Sequence, residues 1–251
     1  MIEFDEVTRK YGRNVAVDRL SLAVRPGELF ALLGPNGAGK TTTIKMLAGL
    51  LRPDSGTVSV CGRDVAEDTR LATRALGYVP DEAFLYEKLS GREFLEFVAE
   101  MHGMDRAAVS AGIARESESF RLTGFLDRLV ETYSHGMKQR LIFASAVLHS
   151  PAVLVIDEPM VGLDPRSVRM VKDLLVSRAA AGMTVFMSTH TLTVAEEIAD
   201  RIGILNGGRL HFLGTVSDLQ EELSSRDTSL ESLFLELTDR SANPTADAPS
   251  P

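Results

Sequence analysis

GPNGAGKT at residues 34–41, entered from the apolar run LFALL at 29–33 and left through TTTIKMLAGLL at 41–51, decides the fold. The stretch fits the pattern G-x-x-x-x-G-K-[ST], in which backbone N–H groups wrap phosphates, a lysine reaches the β and γ oxygens, and a hydroxyl ligates Mg²⁺. Gly34, Pro35, Asn36, Gly37, Ala38 and Gly39 make the loop, Lys40 supplies the cation, Thr41 supplies the hydroxyl, and Thr42 continues the first helical turn. The setting supports the motif, because an apolar run before the loop predicts a buried strand and the spacing after it predicts a helix.

A second stretch, VLVIDEP at 153–159, completes the machinery. Its apolar residues predict a buried strand whose C-terminal end presents Asp157 and Glu158, where open parallel sheets bind ligands. Asp157 is expected to hold Mg²⁺ through water, and Glu158 to position or deprotonate the attacking water. One carboxylate suffices for the metal, so the adjacent glutamate favours hydrolysis over storage of a nucleotide. TVFMST at 184–189 predicts a third strand ending on the same rim. From there the imidazole of His190 is expected to reach the γ phosphate or the attacking water.

Around these motifs the pattern predicts an α/β protein. Apolar alternation at 2–7 and 15–24, with Pro26-Gly27 as a turn and a further strand at 56–60, predicts a small antiparallel β layer ahead of the loop. From about 82 to 150 the periodicity is helical, predicting an inserted helical subdomain. Short β-rich runs separated by amphipathic stretches return after Pro151, as in a parallel sheet covered on both faces. The expected division is an ATPase unit over 1–224, with a core at about 1–81 and 151–224, then a C-terminal helix (SLESLFLELT) and a polar tail too poor in apolar residues to fold alone over 225–251.

Composition narrows the partners. Lys and Arg number 27 against 35 Asp and Glu, a formal net charge of −8, which gives no global attraction to nucleic acid or anionic lipid. The single cysteine, Cys61, cannot close an internal disulfide, so a reducing cytoplasm is expected and Cys61 reads as a small buried residue. No window approaches a membrane span, so work at a membrane requires a second chain to cross it.

With these residues in place, the chain resembles an ATP-binding subunit of the ABC transporters, with ordered motifs from Tyr11 to about Thr215. The resemblance implies a P-loop NTPase (RecA-like) core and further roles: Tyr11 stacks on adenine, Asp164 in GLDP is the D-loop carboxylate, and His190 is the switch histidine. The signature, usually LSGGQ, reads YSHGM here, keeping Ser134 and Gly136 and replacing its neighbours with His135 and Met137. Ser134 can cap the following helix while its hydroxyl and nearby N–H groups face an anion. The Q-loop departs more: GYVPDE places Asp81 where the family has glutamine, and an ionised aspartate accepts hydrogen bonds but cannot donate.

The resemblance implies ATP and Mg²⁺ as ligands, with Thr41 and Asp157 as metal contacts, while the Asp81 carboxylate could itself still ligate Mg²⁺ or hold water. It also implies a head-to-tail dimer, with itself or a homologous ATPase, that sandwiches ATP between one loop and the partner's signature. A separate membrane permease would dock near Phe84, Leu85 and Tyr86, with burial of these residues in the helical subdomain as the alternative, and the chain would lie peripheral on the cytoplasmic face of the membrane. Export is the expected direction. An importer's ATPase, or a soluble ABC ATPase acting on ribosomes or DNA, would use the same catalytic residues.

Overall fold

A computed structural model of the chain describes residues 1–82 and 84–224. Strands β1 (Ile2–Tyr11) and β2 (Asn14–Val24) form an antiparallel pair, followed by β3 (Leu29–Leu33), the loop, and helix α1 (Lys40–Leu47). Next come β4 (Ser55–Val60), β5 (Arg63–Asp64), α2 (Thr69–Arg74) and β6 (Leu76–Val79). A helical stretch holds α3 (Gly91–Met101), α4 (Arg106–Ser119), a 3₁₀ turn (Val130–Thr132) and α5 (His135–Val147). The chain then runs through β7 (Val153–Ile156), α6 (Pro165–Ala180), β8 (Thr184–Thr189), α7 (Leu192–Ile198), β9 (Arg201–Asn206), β10 (Arg209–Gly214) and α8 (Val216–Ser224).

Two sheets result. The first is antiparallel, in the order β2-β1-β4-β5; the second has the order β10-β9-β3-β8-β7-β6 and is parallel except for the β9–β10 hairpin. The expected P-loop α/β fold with an antiparallel N-terminal layer is present. SLESLFLELT and the polar tail lie outside the described residues.

Alternation along β3 shows how the layers meet. Leu29, Ala31 and Leu33 face a cluster shared with α3, α4, α5, α6 and α7, whereas Phe30 and Leu32 face one built from β1, β2, β4 and α1. Both faces of the central strands are therefore dry, and β3, β7 and β8 read as unbroken buried runs. Phe30 stacks on Phe186 in the second cluster, 5.4 Å between ring centroids.

Register, more than any helix, positions the chemistry. Leu33 pairs with Thr189, Ile156 with Met187, and Val79 with Ile156, so β3, β8, β7 and β6 end together. The next residues of all four strands emerge on one rim, and they are the loop, His190, Asp157-Glu158 and the Asp81 segment.

One expectation is corrected and one alternative is decided. Cys61 is exposed, not buried, because it sits in the turn between β4 and β5 with φ at 53°, its N–H bonded to the Met1 carbonyl. Leu85 is buried in the helical cluster and cannot line a surface groove, whereas Phe84 and Tyr86 are exposed.

Candidate functional site

The loop closes tightly on the strands beneath it. A Cβ on Gly34 would lie 2.2 Å from the Leu205 carbonyl oxygen, and one on Gly39, at φ +108°, would lie 2.3 Å from that of Ala16. Only glycine permits this approach. Gly39 then serves as the N-cap of α1 with no side-chain cap, and the first turn carries no acidic residue. The N–H groups and positive end of that helix are left for an anion. Thr41 is exposed in this turn and Thr42 half-buried, while Thr43 is buried and donates its hydroxyl to the Gly39 carbonyl at 3.0 Å.

Lys40 is 95% buried and held by three oxygens. Its Nζ donates to the Gly34 carbonyl at 2.7 Å and the Pro35 carbonyl at 3.2 Å, and lies 3.3 Å from Glu158 Oε1. The other oxygen of Glu158 is 2.9 Å from His190 Nδ1. One carboxylate thus bridges the loop lysine and the histidine that follows β8, joining three stretches far apart in sequence. Glu158 does this from a left-handed backbone with φ at 49°, a conformation that costs a residue with a Cβ about 1–2 kcal/mol.

Ser188, which the sequence reading passed over, supports that geometry. Its hydroxyl donates to Asp157 Oδ1 at 2.5 Å and accepts from the Glu158 N–H at 3.1 Å. A buried hydroxyl therefore fixes both carboxylate residues, and the side chain of Asp157, 2% exposed, is held in place by it. The available signal was position: Ser188 lies two residues before His190 on the strand that neighbours β7.

Asp81 joins the same field. Burial, then the charges of Asp157, Glu158 and Glu82, push its carboxyl above the usual value, against a downward pull from His190. Tyr78 is pushed up to about 12 by burial and by Asp157 and Asp81. Negative charge is in excess here, because Glu158 has Lys40 and His190 beside it while Asp81 and Asp157 repel each other. A divalent cation would relieve that excess, and the hard oxygens of Thr41 and the carboxylates suit Mg²⁺. No group of three or more His, Cys, Asp or Glu among the described residues could hold an ion by itself, so phosphate oxygens would complete its shell.

The remaining predicted residues lie elsewhere. Tyr11 ends β1, half-exposed, with the Arg9 guanidinium 5.2 Å from its ring centroid. Ser134 caps α5, its hydroxyl accepting from the Met137 N–H, and stays exposed. Asp164 caps α6: Oδ1 accepts from the N–H groups of Arg166 and Ser167, and Oδ2 from the Ser167 hydroxyl at 2.6 Å. The Ser167 hydroxyl bond is the main cause holding this carboxyl below its usual range. The two caps meet, since a Cβ on Gly136 would lie 3.7 Å from Ser167 Oγ and 3.9 Å from Asp164 Oδ2. His135, the departure from the familiar signature, packs on the D-loop: a Cβ on Gly162 would meet its Nε2 at 3.0 Å.

Comparison with known proteins agrees with this arrangement. The chain matches the ABC transporter family over residues 17–161. It is 36% identical over 231 residues to the linearmycin resistance ATP-binding protein LnrL of Bacillus subtilis, covering 92% of this chain and 74% of that protein. It is 41% identical over 208 residues to the Nod factor export ATP-binding protein I of Paraburkholderia xenovorans, covering 83% and 68%. A solved ATP-binding subunit of an ABC transporter superposes with a TM-score of 0.87 at 33% identity, covering 94% of this chain and 99% of the other.

Proposed function

The chain belongs to the ABC transporter family as an ATP-binding, ATP-hydrolysing subunit, and from that premise we propose that it powers export through a permease carried on a separate polypeptide. The observation that carries the catalytic part of this reading is the bridge Lys40–Glu158–His190 on the rim where the phosphate loop opens. In our reading the loop N–H groups and Lys40 bind the β and γ phosphates, and Tyr11 offers a face to adenine. Mg²⁺, when bound, neutralises charge on the transferring phosphoryl group. Glu158 holds the attacking water and takes its proton, and His190 keeps the glutamate oriented and senses the γ phosphate.

The dimer follows from the separation of the two anion-facing ends. Ser134 and the N-terminus of α5 lie against the D-loop, and Ser134 stays exposed at the positive end of the helix it caps. We assign them to the nucleotide held by the rim of a second ATPase chain, identical or homologous. ATP then favours the closed pair, and its hydrolysis releases it. The division into a core at about 1–81 and 151–224 and a helical unit at 82–150 belongs to the same reading, with the helical unit carrying Ser134 between subunits.

Export is supported by the names of the relatives, one a linearmycin resistance protein and one a Nod factor export protein. The permease contact is assigned to the exposed aromatics Phe84, Tyr86 and Phe97, which pack edge to face at 5.4 Å per pair and gain from being covered. No described helix is long and apolar enough to cross a membrane, so the membrane-spanning part falls to the permease and this chain binds peripherally on the cytoplasmic face. The acidic balance gives no reason to expect nucleic acid.

The test is affinity purification of the tagged chain from detergent-solubilised membranes, followed by identification of co-purifying proteins. A polytopic membrane protein recovered in a fixed ratio supports the reading. Recovery of ribosomes or DNA instead would favour a non-transport ATPase.

A further inference from the structure

Positive charge gathers at one place on this acidic chain. Between α4 and α6 lies a cleft of about 750 Å³ lined by Arg115, Arg121, Arg166, Arg169 and Arg178, with Asp173 as its only acidic wall residue among the described residues. Arg115 and Arg178 are already committed. Glu116, fully buried beneath them, accepts from Arg115 Nε at 2.6 Å and from Arg178 Nη2 at 2.6 Å. That carboxylate ties α4 to α6 and neutralises the floor.

The other three guanidiniums are not so occupied. Among the described residues Arg121, Arg166 and Arg169 enter no salt bridge. An adjoining recess, lined by Arg121, Arg140, Asp164 and Arg166, carries the cleft to the D-loop. Burial and the charge of Arg121 press the Arg140 guanidinium below its usual range, so repulsion among these cations is already felt. Five guanidiniums against Glu116 and Asp173 leave a clear positive surplus in a chain of net charge −8.

Guanidinium forks match phosphate oxygens in pairs, and a cleft of roughly 300–1,000 Å³ is the size that holds small ligands. Met170 and Leu174 supply an apolar wall for whatever part of the ligand is not phosphate. We propose that this cleft is a second anion site, distinct from the phosphate loop, that takes a phosphate-bearing ligand between α4 and α6. The inference rests on the geometry of this chain and stands whether or not the transport reading holds. Arg140 connects the site to the signature, donating through Nε to the Gly136 carbonyl and through Nη1 to the Arg121 carbonyl. Occupancy therefore braces α5 as well as α4 and α6.

The test uses inorganic tripolyphosphate on the full chain carrying Lys40→Ala, which removes the cation of the phosphate loop. We expect salt-sensitive binding that weakens roughly tenfold or more when Arg166→Gln and Arg169→Gln are added, as loss of two phosphate-facing guanidiniums demands. Both arginines are exposed on α6, and thermal unfolding checks that the fold is kept. In the chain with Lys40 intact, the same double substitution removes one binding event and leaves the loop's. A parallel arm replaces tripolyphosphate with phosphatidylglycerol vesicles against phosphatidylcholine vesicles. Arginine-dependent binding of either probe supports the site and tells a free phosphate from a lipid headgroup. Absence of binding to both, equal binding by the double variant, or a double variant that only weakens self-association overturns it.

Discussion

The rim of the parallel sheet and the signature end of the molecule are built on opposite terms. On the rim, Lys40 and Asp157 are almost wholly buried and Glu158 is partly so, and Glu158 contacts Lys40 and His190 while Ser188 holds Asp157. At the signature end, Ser134 and His135 are exposed, and the polar groups of Ser134 and Asp164 are satisfied by their own helices. A buried, mutually satisfied set can perform chemistry within one chain. An exposed helix start that asks nothing of its own chain has affinity to spare for another molecule.

That contrast is sharpest where it is easiest to break. Glu158→Gln keeps the shape of the bridge but removes the proposed proton acceptor, and should lower turnover by roughly two to four orders of magnitude while ATP still binds. Steady-state hydrolysis alongside nucleotide titration checks both halves. Lys40→Ala should fail earlier, at nucleotide binding, read by titration of a fluorescent ATP analogue.

Ser188→Ala probes the support beneath the rim. Leaving Asp157 Oδ1 and the Glu158 N–H without their shared hydroxyl should cost about 1–3 kcal/mol of stability, read by urea unfolding, together with a lower turnover. Asp81→Gln should shift the Mg²⁺ concentration for half-maximal ATPase rate, because it removes a carboxylate that Asp157 and Glu158 already push upward. An ATPase rate unchanged across Mg²⁺ concentrations would leave Asp81 without a part in the site.

The smallest effect separates two histidines. His149 stacks on His102 at 3.7 Å and donates from Nε2 to the Leu76 carbonyl, leaving Nδ1 buried without a partner. Burial first, then the charge of His102, lower its pKa to about 4 from 6.5. The unfolded chain therefore binds the proton more readily, and the stabilisation is complete above the unfolded value and is lost as pH falls toward the folded one. Thermal melts of His149→Phe should show a shallower fall in stability over that window than the unaltered chain.

Much of this was legible in the sequence because the fold puts its chemistry at the ends of apolar runs. LFALL, VLVI and TVFMST each read as a strand, and the residues following each carry the loop, the carboxylates and the histidine. What the sequence withheld depends on neighbours across space. Ser188 reads as an ordinary strand residue until β7 lies beside it, and His135 reads only as a departure from the signature until Gly162 is found beneath its ring. Cys61 was misplaced because composition favours burial for cysteine and cannot foresee a left-handed turn. The arginine cleft was hidden by a net charge that averages over it.

The central claim is that ATP is held between the rim of one chain and the signature end of another. It is tested most directly by light scattering of the Glu158→Gln chain with ATP and Mg²⁺, with and without Ser134→Glu. An ATP-dependent dimer that the Ser134 substitution abolishes is the expected result. A chain that stays monomeric at saturating ATP, or a dimer indifferent to Ser134, would contradict it.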